Sequence, residues 1–220
     1  MTGAADREDA FGPKRSLMVV RQLRGRDIHD ERVLAAMESV PRERFVPASH
    51  AASAYDDHPL AIGAGQTISQ PYIVALMTQA VGLDQDSNVL EIGTGSGYGA
   101  AVLSRVARRV VTVERLSRLA HSATDLLGGL GYANVDVVCA DGTLGWPARA
   151  PYEGIVVTAG GPKVPTALID QLCEGGRLVI PVTSEQGDQR LIRVVRHGST
   201  SSREELAEVR FVPLIGKQGW

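Results

Sequence analysis

The sequence predicts an α/β fold built on a doubly wound, mostly parallel sheet. Three observations carry that expectation. Residues 88–99, N-V-L-E-I-G-T-G-S-G-Y-G, run from an apolar stretch into glycines at 93, 95 and 97, which reads as a buried strand, a tight turn and a helix start. Further β-rich runs recur at 110–113, 135–139, 155–158 and 177–182, separated by helix-length or turn-forming segments, the spacing of parallel strands joined by crossovers. The last two β-rich runs, 191–195 and 206–214, have only a short polar turn at 198–202 and no helix-length segment between them, so they predict an antiparallel hairpin at the end of the sheet.

Taken in order, residues 1–14 lack apolar periodicity and read as a mobile tail. Residues 15–82 read as an N-terminal helical and loop subdomain, and 83–220 as the α/β domain, the whole forming one compact unit. From Ser16 a helix is expected with Leu17, Val20 and Leu23 on one side, ending at Gly25. Asp30 caps a second helix with Val33, Leu34 and Met37 inward, stopped at Val40-Pro41. Residues 42–69 show no sustained period, and a long irregular segment of this kind is functional or disordered; its aromatics and the alternating Leu60 and Ile62 point to an ordered loop with a short strand. His58, among acids and before a proline, reads as a surface or turn histidine. Residues 71–81 predict a helix opened by Pro71, with Ile73, Val74, Met77 and Val81 inward. Beyond the glycine turn, helices are expected over 98–106, with Ala101, Val102 and Val106 on one face, over 116–130, broken by Gly128-Gly129 and Gly131, and over 165–172.

The glycine turn has a chemical reading of its own. Glycines at 93, 95 and 97 let the backbone approach a ligand closely, and the following helix points its N-terminus back at them. The next strand ends in Glu114, placed to accept both hydroxyls of a ribose. This is a nucleoside-binding β-α-β unit. By itself it does not separate a nicotinamide dinucleotide from S-adenosylmethionine, since both present an adenosine ribose. A hydride-transfer enzyme would also want a Tyr/Lys or His/Asp constellation, and none is in register. Glu91, a carboxylate inside an apolar strand, is costly unless paired, which favours a functional reading over a structural one.

Composition narrows the class. With 220 residues, 44% of them hydrophobic, the chain can bury one substantial core. The 23 basic and 25 acidic residues give a net charge of −2, so no overall field favours a polyanion, and no nucleic-acid partner is expected. The arginines at 105, 108, 109, 115 and 118 read as a solvated helix face and turn. No apolar run is long enough to span a bilayer, and the charged N-terminus is unlike a signal peptide. Cys139 and Cys173 form no metal-binding spacing and read as reduced core or near-core thiols. A cytoplasmic protein with no metal site, no membrane association and no obligatory protein partner is expected.

Several motifs go beyond the generic fold: P-R-E-R-F-V-P (41–47), A-Y-D-D-H-P-L-A-I-G (54–63), G-Q-T-I-S-Q-P-Y (65–72), V-L-E-I-G-T-G-S-G-Y (89–98), P-Y-E-G-I-V-V-T-A (151–159), G-G-R-L-V-I-P-V (175–182) and F-V-P-L-I-G (211–216). Through them nearly everything after Ser16 resembles the protein-L-isoaspartate O-methyltransferases, class I S-adenosylmethionine-dependent enzymes with a Rossmann-like fold. G-Q-T-I-S-Q-P is the most specific. The resemblance implies methylation of the free carboxylate of L-isoaspartyl residues in damaged proteins and peptides, with S-adenosyl-L-homocysteine as product. The ester then closes to a succinimide, whose hydrolysis returns some normal aspartate.

The resemblance also implies roles. Glu91, Gly93, Thr94, Gly95 and Gly97 would surround the methionine and ribose portions of the cofactor, Glu114 the ribose hydroxyls, and Asp141 with Gly142 the adenine; on the residues alone, Asp141-Gly142 is simply a turn. Ser69 reads from the bare sequence as a helix cap before Gln70-Pro71, and from the resemblance as the catalytic residue. Ala64, Gln66, Thr67 and Ile68 would then form the acceptor site. Two departures stand out: Gly99 occupies a position often held by glutamine, and Glu153 one often held by aspartate. A homologue dedicated to aspartate in one specific peptide would share every motif quoted, and a non-catalytic nucleoside-binding module would leave G-Q-T-I-S unexplained.

Overall fold

The structure, a computed structural model, describes residues 10–220. Helices α1 (Gly12–Met18) and α2 (Glu31–Ser39) lead into a two-stranded antiparallel hairpin, β1 (Leu60–Gly63) and β2 (Gln66–Ile68). Helix α3 (Pro71–Val81) follows, and then the main alternation: β3 (Asn88–Ile92), α4 (Tyr98–Leu103), β4 (Arg109–Glu114), α5 (Ser117–Gly129), β5 (Val135–Cys139), β6 (Tyr152–Val157), α6 (Thr166–Asp170) and β7 (Leu172–Thr183). The antiparallel pair β8 (Gln189–His197) and β9 (Thr200–Val209) completes it.

The seven strands β3 to β9 lie in the order β5-β4-β3-β6-β7-β8-β9, parallel from β5 to β7 and antiparallel beyond. The chain moves outward from β3 through β4 to β5, then returns to lay β6 on the other side of β3. That reversal opens a crevice at the C-terminal ends of β3 and β6, where ligands bind in open α/β sheets. Alternation along β3 feeds two cores. Val89 packs with Met37, Leu76, Ala101 and Leu127 on one face, while Leu90 and Ile92 pack with Ile155, Leu168 and Leu214 on the other. Full burial of each such side chain contributes about 1.5–3 kcal/mol, so β3 is anchored from both sides and the turn at its end inherits that rigidity.

Several expectations need correction. Residues 1–9 of the expected tail lie outside the described residues, and α1 already begins at Gly12, with Pro13 in its first turn. Leu17 and Val20 are exposed, whereas Met18, Val19 and Leu23 are buried. The cause is a π-helical stretch, Val19–Arg24, closed by Gly25 N–H bonding the Val20 carbonyl five residues back, which rotates the apolar face away from the 3.6-residue period. Helix α5 takes in Gly128 and ends at Gly129, so the glycines close it about where the sequence placed the break. The last strand is Thr200–Val209, so the polar stretch at 198–202 is largely strand, and residues 211–214 leave the pairing with β8 to bridge Gly160 through Pro213. Edge strands take their place from pairing with a neighbour, so their own hydrophobicity is a poor guide. Cys139 ends the edge strand β5 exposed, against the expected core or near-core place, whereas half-buried Cys173 fits a near-core one.

Candidate active site

A cleft of about 660 Å³ opens at the crevice beside β3. Its wall on the sheet side is the glycine turn with Glu91, Thr94 and Thr158, and facing it are Thr67, Ile68 and Ser69 from the hairpin with Ile73 and Val74 from α3. Ile73 and Val74, expected inward, are therefore half-buried walls of the cleft. A smaller hollow of about 70 Å³ adjoins it, lined by Glu114, Leu116, Gly142, Gln66 and Leu214, and sharing Thr67, Gly93 and Gly95 with the cleft.

The glycine turn is held by backbone. Gly93 N–H donates to the Val113 carbonyl at 2.8 Å, and Thr158 N–H to the Ile92 carbonyl at 2.9 Å. Gly93 has φ of 97°, and a Cβ there would lie 2.2 Å from Thr158 Oγ1; only glycine fits. The Glu114 carboxylate closes the turn from the other strand, accepting from Gly95 N–H at 3.0 Å and Leu116 N–H at 2.9 Å. An ionised carboxylate has about four acceptor sites, so Glu114, which lines the hollow, retains acceptor capacity beyond these two bonds.

Glu91 lies beneath the cleft, 1% exposed. Its Oε2 accepts from Thr112 Oγ1 at 2.6 Å, and Thr112 Oγ1 is 2.6 Å from Thr94 Oγ1. Burial pushes its pKa up to about 8; the Thr112 hydrogen bond pulls the other way and the nearby Glu114 charge adds to the rise. Such a group carries its proton at neutral pH until a cation arrives beside it. Gly99, the first departure noted in the sequence, packs directly against it, since a Cβ there would be 2.2 Å from Glu91 Oε1. The missing side chain leaves room for this carboxyl.

On the cleft wall formed by the hairpin and α3, Ser69 does not cap the helix. The N-cap position is Gln70, which makes no side-chain capping bond, and Ser69 sits one residue earlier on the cleft wall. Ala64 occupies the hairpin tip with φ of 52° and lines a separate groove with Phe45 and Ile62. Asp141 faces away from both hollows, accepting from Thr143 N–H (2.9 Å), Thr143 Oγ1 (2.7 Å) and Lys217 N–H (2.9 Å). Of the Asp141-Gly142 pair, Gly142 reaches the smaller hollow, with Ile92 Cγ2 only 2.5 Å from where its Cβ would be. Gly97, at φ of 90°, starts α4 with Leu127 packed behind it. His58 is on the surface beside Asp56, as expected.

A family model described as protein-L-isoaspartate(D-aspartate) O-methyltransferase matches residues 14–219. The chain belongs to the protein-L-isoaspartate(D-aspartate) O-methyltransferase family. A relative from Pelobacter propionicus, protein-L-isoaspartate O-methyltransferase 2, is 59% identical over 94% of this chain and 92% of its own length. A solved protein-L-isoaspartate O-methyltransferase superposes with a TM-score of 0.84 at 33% identity, over 94% of this chain and 67% of that one. A Plasmodium falciparum chain solved in complex with S-adenosyl-L-homocysteine has the same fold, with a TM-score of 0.77 at 23% identity, over 91% of this chain and 98% of that one. Membership in this methyltransferase family sets aside both the nicotinamide oxidoreductase and the non-catalytic module.

Within that family frame, the site includes residues that carried no assignment from the sequence. Thr158 follows β6 at the crevice, and Arg210, Phe211 and Val212 line the cleft after β9. The signals were present in T-A at 158–159 and in F-V-P-L-I-G, but only the strand order shows that these segments meet the glycine turn.

Proposed function

We propose that this chain methylates the free α-carboxylate of L-isoaspartyl residues in damaged proteins and peptides, using S-adenosyl-L-methionine, and so starts their repair through a succinimide. The carrying observation is that Ser69 and the glycine turn face each other across one cleft. The cofactor, when bound, supplies an electrophilic methyl group and leaves as S-adenosyl-L-homocysteine. The residues present fit it: Gly93, Thr94, Gly95 and Gly97 shape the turn that would hold its methionine and ribose portions, Glu91 would meet its ammonium group, Glu114 would take ribose hydroxyls, and Gly142 would border the adenine, with Asp141 holding that turn through Thr143 and Lys217.

Ser69 donates a hydrogen bond that orients one oxygen of the acceptor carboxylate, leaving the other to attack the methyl carbon. No strong general base is required, because a carboxylate is already ionised at neutral pH. The work of the site is desolvation and alignment, with Ala64, Gln66, Thr67 and Ile68 guiding the peptide. After release, the adjoining backbone nitrogen attacks the ester carbonyl, loses its proton and expels methanol; water then opens the ring. Paucity of net charge supports a reading without nucleic-acid partners, and no helix among the described residues is long and apolar enough to cross a membrane. Unpaired Cys139 and Cys173 support a cytoplasmic enzyme, since free thiols persist in a reducing compartment.

The test uses labelled S-adenosylmethionine with two peptides that differ only in an isoaspartyl or an aspartyl linkage. Their charge is equal, so discrimination must come from where the loop holds the backbone. Methylation of the isoaspartyl peptide alone, with an ester that decays to succinimide and methanol, is expected. Comparable labelling of both, or an ester that persists, would overturn the reading.

A further inference from the structure

The P-R-E-R-F-V-P motif lies outside the cleft wall, yet its Arg42 is fully buried, and no carboxylate among the described residues pairs with it. Burial of an unpaired cation is unfavourable, so its partners deserve a physical account. Nε donates to the Ala54 carbonyl at 2.7 Å and Nη2 to the Ser69 carbonyl at 2.7 Å. The guanidinium carbon lies 4.7 Å from the centroid of the Tyr98 ring, a cation–π arrangement. Tyr98 follows Gly97 directly and lines the cleft. One planar group thus joins the 48–54 segment, the acceptor loop and the start of the helix behind the glycine turn. An ammonium could not reach two divergent carbonyls and stack on a ring at once.

We propose that Arg42 is a positioning residue for methyl transfer: by clamping the Ser69 carbonyl above Tyr98, it fixes the acceptor loop relative to the glycine turn. This rests on the role given to Ser69 above. Arg42 touches neither reactant in this arrangement; it acts through the placement of Ser69, so its loss should slow turnover and leave the cofactor site intact.

The experiment compares Arg42→Lys, Ser69→Ala and the double variant, each checked for folding, with isoaspartyl peptide and S-adenosylmethionine. Arg42→Lys should lower kcat by about tenfold or more, with S-adenosylhomocysteine affinity and the KM for S-adenosylmethionine within about twofold of wild type. The double variant should be no more than about threefold slower than the slower single one, because both changes disable the same group. Wild-type kcat in Arg42→Lys beside a slow Ser69→Ala overturns the inference alone, as do losses that multiply in the double variant or cofactor affinity that falls in step with kcat. Full activity in Ser69→Ala overturns the Ser69 reading and this link with it. Should Arg42→Lys not fold, Arg42→Gln, which keeps a donor but loses the second arm of the guanidinium, gives the same kinetic comparison with Ser69→Ala. In the wild-type enzyme the Arg42 Nε proton should exchange slowly by NMR, and exchange as fast as in a surface arginine would break the clamp.

Discussion

The two sides of the cleft are built differently. The cofactor side comes from contiguous sequence at the end of β3, fixed by ladder bonds such as Gly93 N–H to Val113 carbonyl at 2.8 Å, with glycines keeping side chains out. The acceptor side is assembled from the hairpin, α3 and the 208–212 segment, which are far apart in sequence and present side chains to the cleft. The first should therefore fail by crowding and the second by loss of a functional group.

Crowding should give the largest effect. Gly93→Ala places a Cβ 2.2 Å from Thr158 Oγ1 at a φ of 97°, and neither partner has slack, because Thr158 Oγ1 sits 3.0 Å from the Ile92 carbonyl and 2.8 Å from that of Gly93. Backbone strain of this kind costs on the order of 1–3 kcal/mol before the clash is counted. S-adenosylhomocysteine affinity should fall by about 100-fold or more by calorimetry, with a lower Tm. Gly95 sharpens the point. Its φ is 53°, close to that of Ala64 at 52°, and its Cβ would meet only Ile62 Cδ1 at 3.3 Å, so Gly95→Ala should be milder, while the β-branched Gly95→Val should abolish binding. Equal tolerance of alanine at 93 and 95 would contradict a turn held by backbone.

Loss of a group on the acceptor side comes next. A hydrogen bond to a charged group is worth about 1.5–3 kcal/mol, so Ser69→Ala should slow kcat by roughly ten- to a hundredfold. Cofactor affinity should not move. A parallel loss of S-adenosylhomocysteine binding would erase the distinction between the two sides.

Glu91 belongs to the cofactor side and yet works through a side chain, so it tests the comparison from within. A carboxyl held at about 8 keeps its proton in the folded protein while the unfolded chain has lost it. The native state then binds more protons than the unfolded state, so its stability contribution is greatest at low pH and declines as pH rises from the ordinary carboxylate range to about 8. Glu91→Gln should flatten that decline in urea midpoints measured from about pH 5 to about pH 8. Binding of S-adenosylhomocysteine by wild type near pH 7 should release up to about one proton, seen as a buffer-dependent enthalpy. A stability profile unchanged by Glu91→Gln would show that the carboxyl is already ionised.

This division also explains what the sequence made legible. The strands, the glycine turn, Glu91 and Glu114 were readable because local periodicity and conformation specify them. Thr67 and Ser69 entered through a resemblance, since nothing local distinguishes a cleft serine from a cap. Arg42, Thr158 and Phe211 were silent because their significance lies in contacts across the fold. Leu17 and Val20 misled for another reason: a single five-residue hydrogen bond, Gly25 to Val20, shifts the helix face. Likewise β9 is defined by its pairing with β8, so the apolar run 206–214 overestimated where the strand ends.

The two departures from the family pattern divide in the same way. Gly99 touches Glu91 in the site, whereas Glu153 lies at the opposite end of the sheet, on β6, where Oε2 accepts from Asn88 N–H at 2.7 Å. That bond pins the first residue of β3 to its neighbour. Asn88 N–H is part-buried, so leaving it unpaired has a cost, though water can reach much of the group. Glu153→Asp shortens the side chain by one methylene and should stretch or break this bond. The expected loss is about 1 kcal/mol, or roughly 2–4 °C in Tm for a chain of this size. Because the glycine turn is held separately by its bonds to Val113 and Thr158, kcat and S-adenosylhomocysteine affinity should stay at wild-type values. A kinetic defect in Glu153→Asp without a change in Tm would mean that strain at the base of β3 reaches the turn, and that the cofactor side is less self-contained than its backbone bonding implies.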